Sequence, residues 1–149
     1  MCKCDFNYEK YLDCISNNNV KRCFSQFRIF SHHLEIELRR YNNIGRYERK
    51  CKLCNCNMVE SEYHFLLCCP IYNDLRRKYN IRCNWPNLTR FKHLLSRQNV
   101  KVINNLANCV SERMKIREEK LLKNAKYFLF HVNLFAIFSS VPNKFFVKL

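Results

Sequence analysis

The chain has 149 residues, of which 48% are hydrophobic and 14% aromatic, a composition too apolar for a wholly disordered protein. A single glycine and three prolines argue against a turn-rich sandwich or barrel, so one mainly α domain is predicted. The 27 Lys and Arg residues exceed the 12 Asp and Glu residues, and the resulting charge of +15 favours a polyanionic partner, RNA or DNA.

Three short helices are predicted before Gly45. Apolar residues at near-helical spacing predict a first helix that ends at a polar break, residues 17–19, and a second helix over residues 20–30. Ser31 is expected to cap a third helix, which ends at Asn42 and Asn43.

A metal-binding motif follows, in the form of a small zinc knuckle within the helical domain. Cys51 and Cys54 place two thiolates on one tight turn, from which both sulfurs reach a tetrahedral ion. His64 and Cys69 complete the spacing Cys-x2-Cys-x9-His-x4-Cys. Four protein ligands leave no position for water, so a structural rather than hydrolytic Zn²⁺ is expected.

The fourth ligand could be either of two adjacent cysteines. A helix over residues 60–68 would direct residues 65–67 toward a core and keep Cys68 on the face of His64. Pro70, which suits the first turn of a further helix, disfavours helical torsion angles at the preceding residue and therefore favours Cys69. Cys56 is interpreted as a spare thiol, because four ligands are already present.

The remaining half of the chain is predicted to be helical. Amphipathic helices are expected over residues 71–81 and 88–106, with a break at residues 85–87. A highly charged helix is expected over residues 110–126. Charges alternate in sign over residues 111–126, and a solvated helix face is expected there. The apolar stretch at residues 127–141 is shorter than the ~20 residues that cross a bilayer, so no membrane partner is expected.

Eleven cysteines would suit disulfides in a secreted protein, but the N-terminus lacks the apolar core of a signal peptide. Reduced thiols and an intracellular location, cytoplasmic or nuclear, are therefore expected. Ser16, Ser25 and His93 form no nucleophile, base and acid arrangement, and no paired-carboxylate motif is present. Neither an enzyme nor a small-molecule substrate is expected.

In these motifs the chain resembles the zinc-binding region at the C-terminus of non-LTR retrotransposon reverse transcriptases. The resemblance lies in residues 26–37, 40–41, 51–54, 62–67 and 69–72. It covers about residues 22–118, which leaves an N-terminal helical segment, 1–21, and a charged helix end with an apolar tail, 119–149. Many relatives have a glycine where this chain has Arg39. A complete transposon enzyme is not expected, because polymerase and endonuclease motifs are missing.

The resemblance implies that Arg28, His32 and Arg40 help to present a nucleic-acid surface. Further basic residues occur beside these or flank the metal motif: Arg39, Arg46, Arg49, Lys50, Lys52, Arg76, Arg77, Lys78 and Arg82. If the fold brings them together, they would hold phosphates, with an affinity that falls as salt rises.

Five aromatic residues are interleaved with these charges and could stack on unpaired bases, although most are expected to pack in the core: Tyr41, Tyr47, Tyr72, Tyr79 and Trp85.

The sequence leaves two alternatives to nucleic-acid binding open. A zinc-stabilised protein-interaction module would instead use its aromatic and aliphatic surface. The chain could also be a non-functional retroelement remnant.

Overall fold

The computed structural model describes residues 9–81, 88–96 and 98–139. Within these ranges the chain is mainly helical and carries a Cys/His cluster, which confirms the predicted fold class. The helices are α1 (Tyr11–Cys14), α2 (Asn18–Arg28), α3 (Glu35–Leu38), α4 (Asn73–Lys78), α5 (Leu88–Leu95) and α6 (Val100–Ser139). Two 3₁₀ turns, Arg46–Glu48 and Pro70–Tyr72, and one π-helical turn, His64–Cys68, lie between α3 and α4.

None of the helices in the described ranges combines the length and the apolar character that a bilayer crossing requires. The prediction that residues 1–21, 22–118 and 119–149 are separate units stays a prediction. Residues 1–8, the predicted break at residues 85–87, and residues 140–149 lie outside the described residues.

Helix α2 begins inside the stretch predicted to be a polar break. The side chain of Asn17 accepts hydrogen bonds from the backbone N–H groups of Asn19 and Val20, at 2.9 and 3.2 Å, and so caps the helix. Phe24 and Phe27 are buried on one face of α2, and Arg22 is exposed. The asparagine run is therefore a helix start.

Ser31 does not cap α3, so that prediction was wrong. The chain leaves α2 through Phe30, which has a φ of 58°, and α3 begins only after the extended residue Leu34. A distant side chain caps it instead: the carboxylate of Glu60 accepts a hydrogen bond from the backbone N–H of Glu35 at 2.8 Å. Helix α3 is thus positioned by the metal motif.

The predicted helix over residues 88–106 is two helices in the structure. The side chain of Asn99 accepts hydrogen bonds from the N–H groups of Lys101 and Val102, at 3.0 and 3.3 Å, and starts α6 after α5 has ended. The charged stretch predicted as a helix at residues 110–126 is the middle of α6.

The core forms where α6 packs against α1, α2 and the metal motif. Phe65 lies at its centre: its ring centroid is 5.9 Å from that of Phe27 on α2 and 5.1 Å from that of Tyr72. Along α6, every third or fourth side chain faces this core, namely Ile103, Leu106, Val110, Arg113 and Arg117. The last two are arginines, with 0% and 3% exposure.

These arginines correct the prediction that residues 110–126 present only a solvated face. Arg113 donates two hydrogen bonds of 2.7 Å from Nη1 to the carbonyls of Phe65 and Leu66, and its guanidinium lies 5.3 Å from the centre of the Tyr72 ring. Buried carbonyls need a donor. Arg113 therefore attaches α6 to the π-helical turn.

We expect replacement of Arg113 by alanine to lower the free energy of unfolding by about 3 kcal/mol or more, because two buried carbonyls would lose their donor. Urea denaturation of the full chain, followed by circular dichroism, measures the change. Lys115→Ala, at an exposed position on the same helix, is the matched control and should cost under about 0.5 kcal/mol. Equal losses in the two variants would contradict this role for Arg113.

Candidate metal centre

Four predicted ligands converge in the structure. The donor atoms of Cys51, Cys54, His64 and Cys69 all lie within 4.8 Å of one another, and Nε2 of His64 is 3.3 Å from Sγ of Cys54. A tetrahedral zinc ion with Zn–S bonds of about 2.3 Å would separate its sulfur ligands by about 3.8 Å. The cluster therefore has the size and the donor set to hold a metal ion.

The first two ligands lie on a short ribbon, residues 50–59. Its ends are joined by an antiparallel bridge between Lys50 and Val59, and the N–H of Cys51 donates to the carbonyl of Met58 at 2.9 Å. Asn57 has a φ of 55°, a left-handed conformation that asparagine tolerates better than most residues, and this allows the chain to reverse. Cys51 and Cys54 consequently face inward.

The other two ligands are the first residue of the π-helical turn, His64, and the residue directly after it, Cys69. His64 begins this turn, and the N–H of Cys69 donates to the carbonyl of His64 at 2.7 Å. Cys69 itself is extended, with φ −59° and ψ 119°, as expected for a residue before proline. The structure thus brings Cys69 into the cluster, while Cys68 and the exposed Cys56 lie outside it.

The three thiols differ in proton affinity. The pKa of Cys51 is lowered to about 3, chiefly by a hydrogen bond from Cys69 and further by His64 and backbone N–H groups. Burial raises the pKa of Cys54 to about 11. The pKa of Cys69 is raised even further, first by its hydrogen bond to Cys51 and then by burial. A bound cation would compete with the two retained protons, since metal ligands must be thiolates.

A buried network of charges connects the cluster to α6. Sγ of Cys51 is 3.8 Å from Oε1 of Glu60, and Arg117 binds both oxygens of that carboxylate, at 2.9 and 2.7 Å. Arg117 also lies 3.4 Å from Glu35, whose carboxylate is 3.0 Å from the ammonium of Lys52. With Arg39, which also pairs with Glu35, three cations thus offset two carboxylates next to the cysteine cluster.

Glu60 and Arg117 were missed as parts of the site, although a signal for Arg117 was present. Arg113 and Arg117 continue the apolar spacing of Ile103, Leu106 and Val110, so they occupy positions where a helix faces its core. Arginines at such positions need buried partners. Nothing in the spacing of Glu60 distinguished it from an exposed carboxylate.

Several residues predicted to bind nucleic acid make hydrogen bonds within the fold. Arg28 donates to the carbonyl of Leu95 at 2.6 Å, and the buried His32 lies 2.8 Å from Glu62. Arg49 donates to the carbonyls of Ile44 and Ile36, at 2.9 and 2.8 Å. Arg76 donates to the carbonyl of Cys69 at 2.8 Å.

The other predicted residues lie nearer the surface, several of them paired with carboxylates. Arg39 is half-buried against Glu35. Three exposed basic side chains pair with carboxylates: Arg40 with the buried Glu37 at 3.2 Å, Arg77 with the exposed Asp74 at 3.6 Å, and Lys78 with the half-buried Glu112 at 2.8 Å. Lys50 and Lys52 are exposed, as is Arg46, and Arg82 lies outside the described residues.

Comparison with the models of known protein families gives no match for this chain, and searches of curated proteins and of solved structures give none either.

We expect Cys69→Ser to lose tightly bound zinc and Cys68→Ser to retain one equivalent, because only the first change removes a donor from the cluster. Elemental analysis of the purified variants, normalised to protein concentration, measures the metal content. Cys56→Ser is a second control and should also retain the ion. Loss of zinc from Cys68→Ser with retention in Cys69→Ser would contradict the ligand assignment.

Zinc binding at pH 7 should release about two protons, because Cys54 and Cys69 hold theirs at this pH whereas Cys51 is already ionised. The affinity should therefore rise roughly 100-fold per pH unit near neutrality and fall as the pH drops. Calorimetric titration in buffers of different ionisation enthalpy counts the protons. An affinity independent of pH would contradict the assignment.

Proposed function

We propose that the chain is a nucleic-acid-binding module whose fold depends on one structural zinc ion, held by Cys51, Cys54, His64 and Cys69. The supporting observation is a buried cluster of four donors next to an exposed basic segment. Three thiolates and an imidazole that can surround one ion tetrahedrally suit zinc better than calcium or magnesium, which prefer oxygen ligands. Four ligands leave no position for a reacting water, so the ion stabilises the fold.

The proposed origin is the C-terminal zinc-binding region of a non-LTR retrotransposon reverse transcriptase. It rests on the spacing of the four ligands together with the matching stretches on either side of them. Such a module would position RNA or DNA without chemical turnover, since a bound ion would occupy the thiols and the imidazole that could otherwise act as nucleophile and base.

The surface proposed to meet phosphate is the 40–52 segment, which runs from the end of α3 into the ribbon. Four of its cationic side chains are exposed: Arg40, Arg46, Lys50 and Lys52. Contacts from such residues to phosphate give affinity and orientation but little sequence selectivity. The net charge of +15 would add attraction over longer distances.

The competing function is a zinc-stabilised protein-interaction module, and exposed apolar side chains favour it. Leu38 and Met58 are each 42% exposed, and Ile71 is 38% exposed. A contact made by these residues would depend little on salt, because screening weakens charge interactions and leaves apolar burial largely intact. Salt dependence therefore separates the two functions.

Binding of a labelled single-stranded RNA should weaken roughly 300-fold or more between about 50 and 200 mM salt if six or more phosphates are contacted. Fluorescence anisotropy of the zinc-loaded chain measures the affinity. Replacing Arg46 and Lys50 together by alanine should reduce the slope of log affinity against log salt by about 1.4, or about 0.7 for each lost phosphate contact.

The matched control replaces Lys120 and Lys123, two exposed lysines on α6, and should leave that slope nearly unchanged. Absence of RNA and DNA binding at low salt, or binding that ignores salt, would overturn the proposed function and favour the protein-interaction module.

A further inference from the structure

Two tyrosines stand out by their exposure. Tyr41 and Tyr47 are 77% and 83% exposed. The other tyrosines with described side chains are buried or half-buried: Tyr11, Tyr63, Tyr72 and Tyr79. Because these rings are exposed, their burial does not stabilise the fold. Both tyrosines lie in the 40–52 segment.

The backbone that presents these rings is fixed to the metal motif. Arg49 donates from Nε to the carbonyl of Ile44 and from Nη1 to that of Ile36, and its own carbonyl accepts from the N–H of Glu60 at 2.9 Å. The segment is therefore held at both α3 and the ribbon. A preorganised surface loses less conformational entropy on binding than a free loop does.

Cationic residues lie near both rings in the sequence, together with one exposed carboxylate, Glu48. The guanidinium of Arg40 lies 5.3 Å from the centre of the Tyr41 ring, within cation–π distance. Arg46 and Lys50 are exposed on either side of Tyr47, and no carboxylate of the described residues lies within ion-pair distance of either. Both cations are thus available to phosphate.

We propose that the 40–52 segment binds single-stranded nucleic acid, with Tyr41 and Tyr47 stacking on unpaired bases and with Arg46 and Lys50 contacting the backbone. The inference rests on the proposed function and specifies that the nucleic acid is single-stranded. The two tyrosines are six positions apart in the sequence, so their Cα atoms are at most about 22 Å apart, a span of a few nucleotides. Only unpaired bases offer open faces to aromatic rings, because a duplex stacks its bases on one another.

The test compares Tyr41→Ala/Tyr47→Ala with the wild-type chain, both zinc-loaded, by anisotropy at fixed low salt. The probes are a labelled oligouridine of about 20 nucleotides, longer than the ~4–16-nucleotide sites of such proteins, and a duplex of equal length. Affinity for the single strand should fall about 5- to 150-fold per ring, because one stack is worth about 1 to 3 kcal/mol. Affinity for the duplex should change less than about threefold.

Two further variants separate stacking from general effects. Tyr41→Phe/Tyr47→Phe retains the rings and should bind the single strand nearly as tightly as wild type. Leu122→Ala removes a side chain with 62% exposure from α6 and should have no effect. Zinc content and circular dichroism of each variant show that the fold is intact.

The outcomes distinguish this inference from the proposed function. If the wild type binds with a salt-dependent affinity and the double alanine variant binds equally well, base stacking by the tyrosines is contradicted while the proposed function stands. The exposed tyrosines would then be available for contact with a protein partner. An equal loss for single strand and duplex would also contradict base stacking. If the wild type binds neither probe, the proposed function fails together with this inference.

Discussion

The convergence of three thiols and an imidazole within 4.8 Å is the constraint on which the rest of the structure depends. It joins the 50–59 ribbon to the π-helical turn, and each of these elements has a second task in the fold. Directly after the ribbon comes Glu60, whose carboxylate caps α3 and binds Arg117. The turn directs Phe65 into the core and its carbonyl to Arg113. Loss of the cluster would therefore disturb contacts far beyond its four ligands.

Buried charges, in addition to apolar packing, fix α6 against the metal motif. Desolvation of an arginine and a carboxylate is costly, and a pair such as Arg117 with Glu60 is tolerated only where geometry satisfies both partners. Here both carboxylate oxygens are bound, and a second acid, Glu35, lies 3.4 Å from the same guanidinium. Such an arrangement disfavours other positions of the helix, because displacement would leave buried charges unpaired.

The many basic residues of this chain thus have two separate tasks. Arg49, Arg113 and Arg117 form hydrogen bonds inside the fold and hold elements together. Arg46 and Lys50 lie at the surface and are the cations proposed to meet phosphate. The net charge of +15 alone therefore overstates what is available to a partner. The internal arginines contribute indirectly, since Arg49 fixes the segment that carries the external ones.

The sequence by itself determined features that depend on neighbouring residues: the helical class and the ligands of the metal site. Composition predicted a mainly helical chain, the spacing of Cys51, Cys54 and His64 predicted the cluster, and the torsional effect of Pro70 favoured Cys69. Two helix starts set by a neighbouring side chain were present in the sequence but were missed. Asn17 was assigned to a polar break, because asparagine suits breaks and caps alike, and Asn99 was included in one predicted helix over residues 88–106.

Only the tertiary structure decided which charges are internal. The cap of α3 by Glu60 joins residues far apart in the sequence, and the burial of Arg113 and Arg117 depends on the carbonyls and carboxylates that they meet. Likewise, the exposure of Tyr41 and Tyr47 and the burial of Tyr72 follow from which surfaces the helices cover. Spacing along a chain specifies a local turn or face, whereas a buried charge or an exposed ring is defined by partners that only folding brings near.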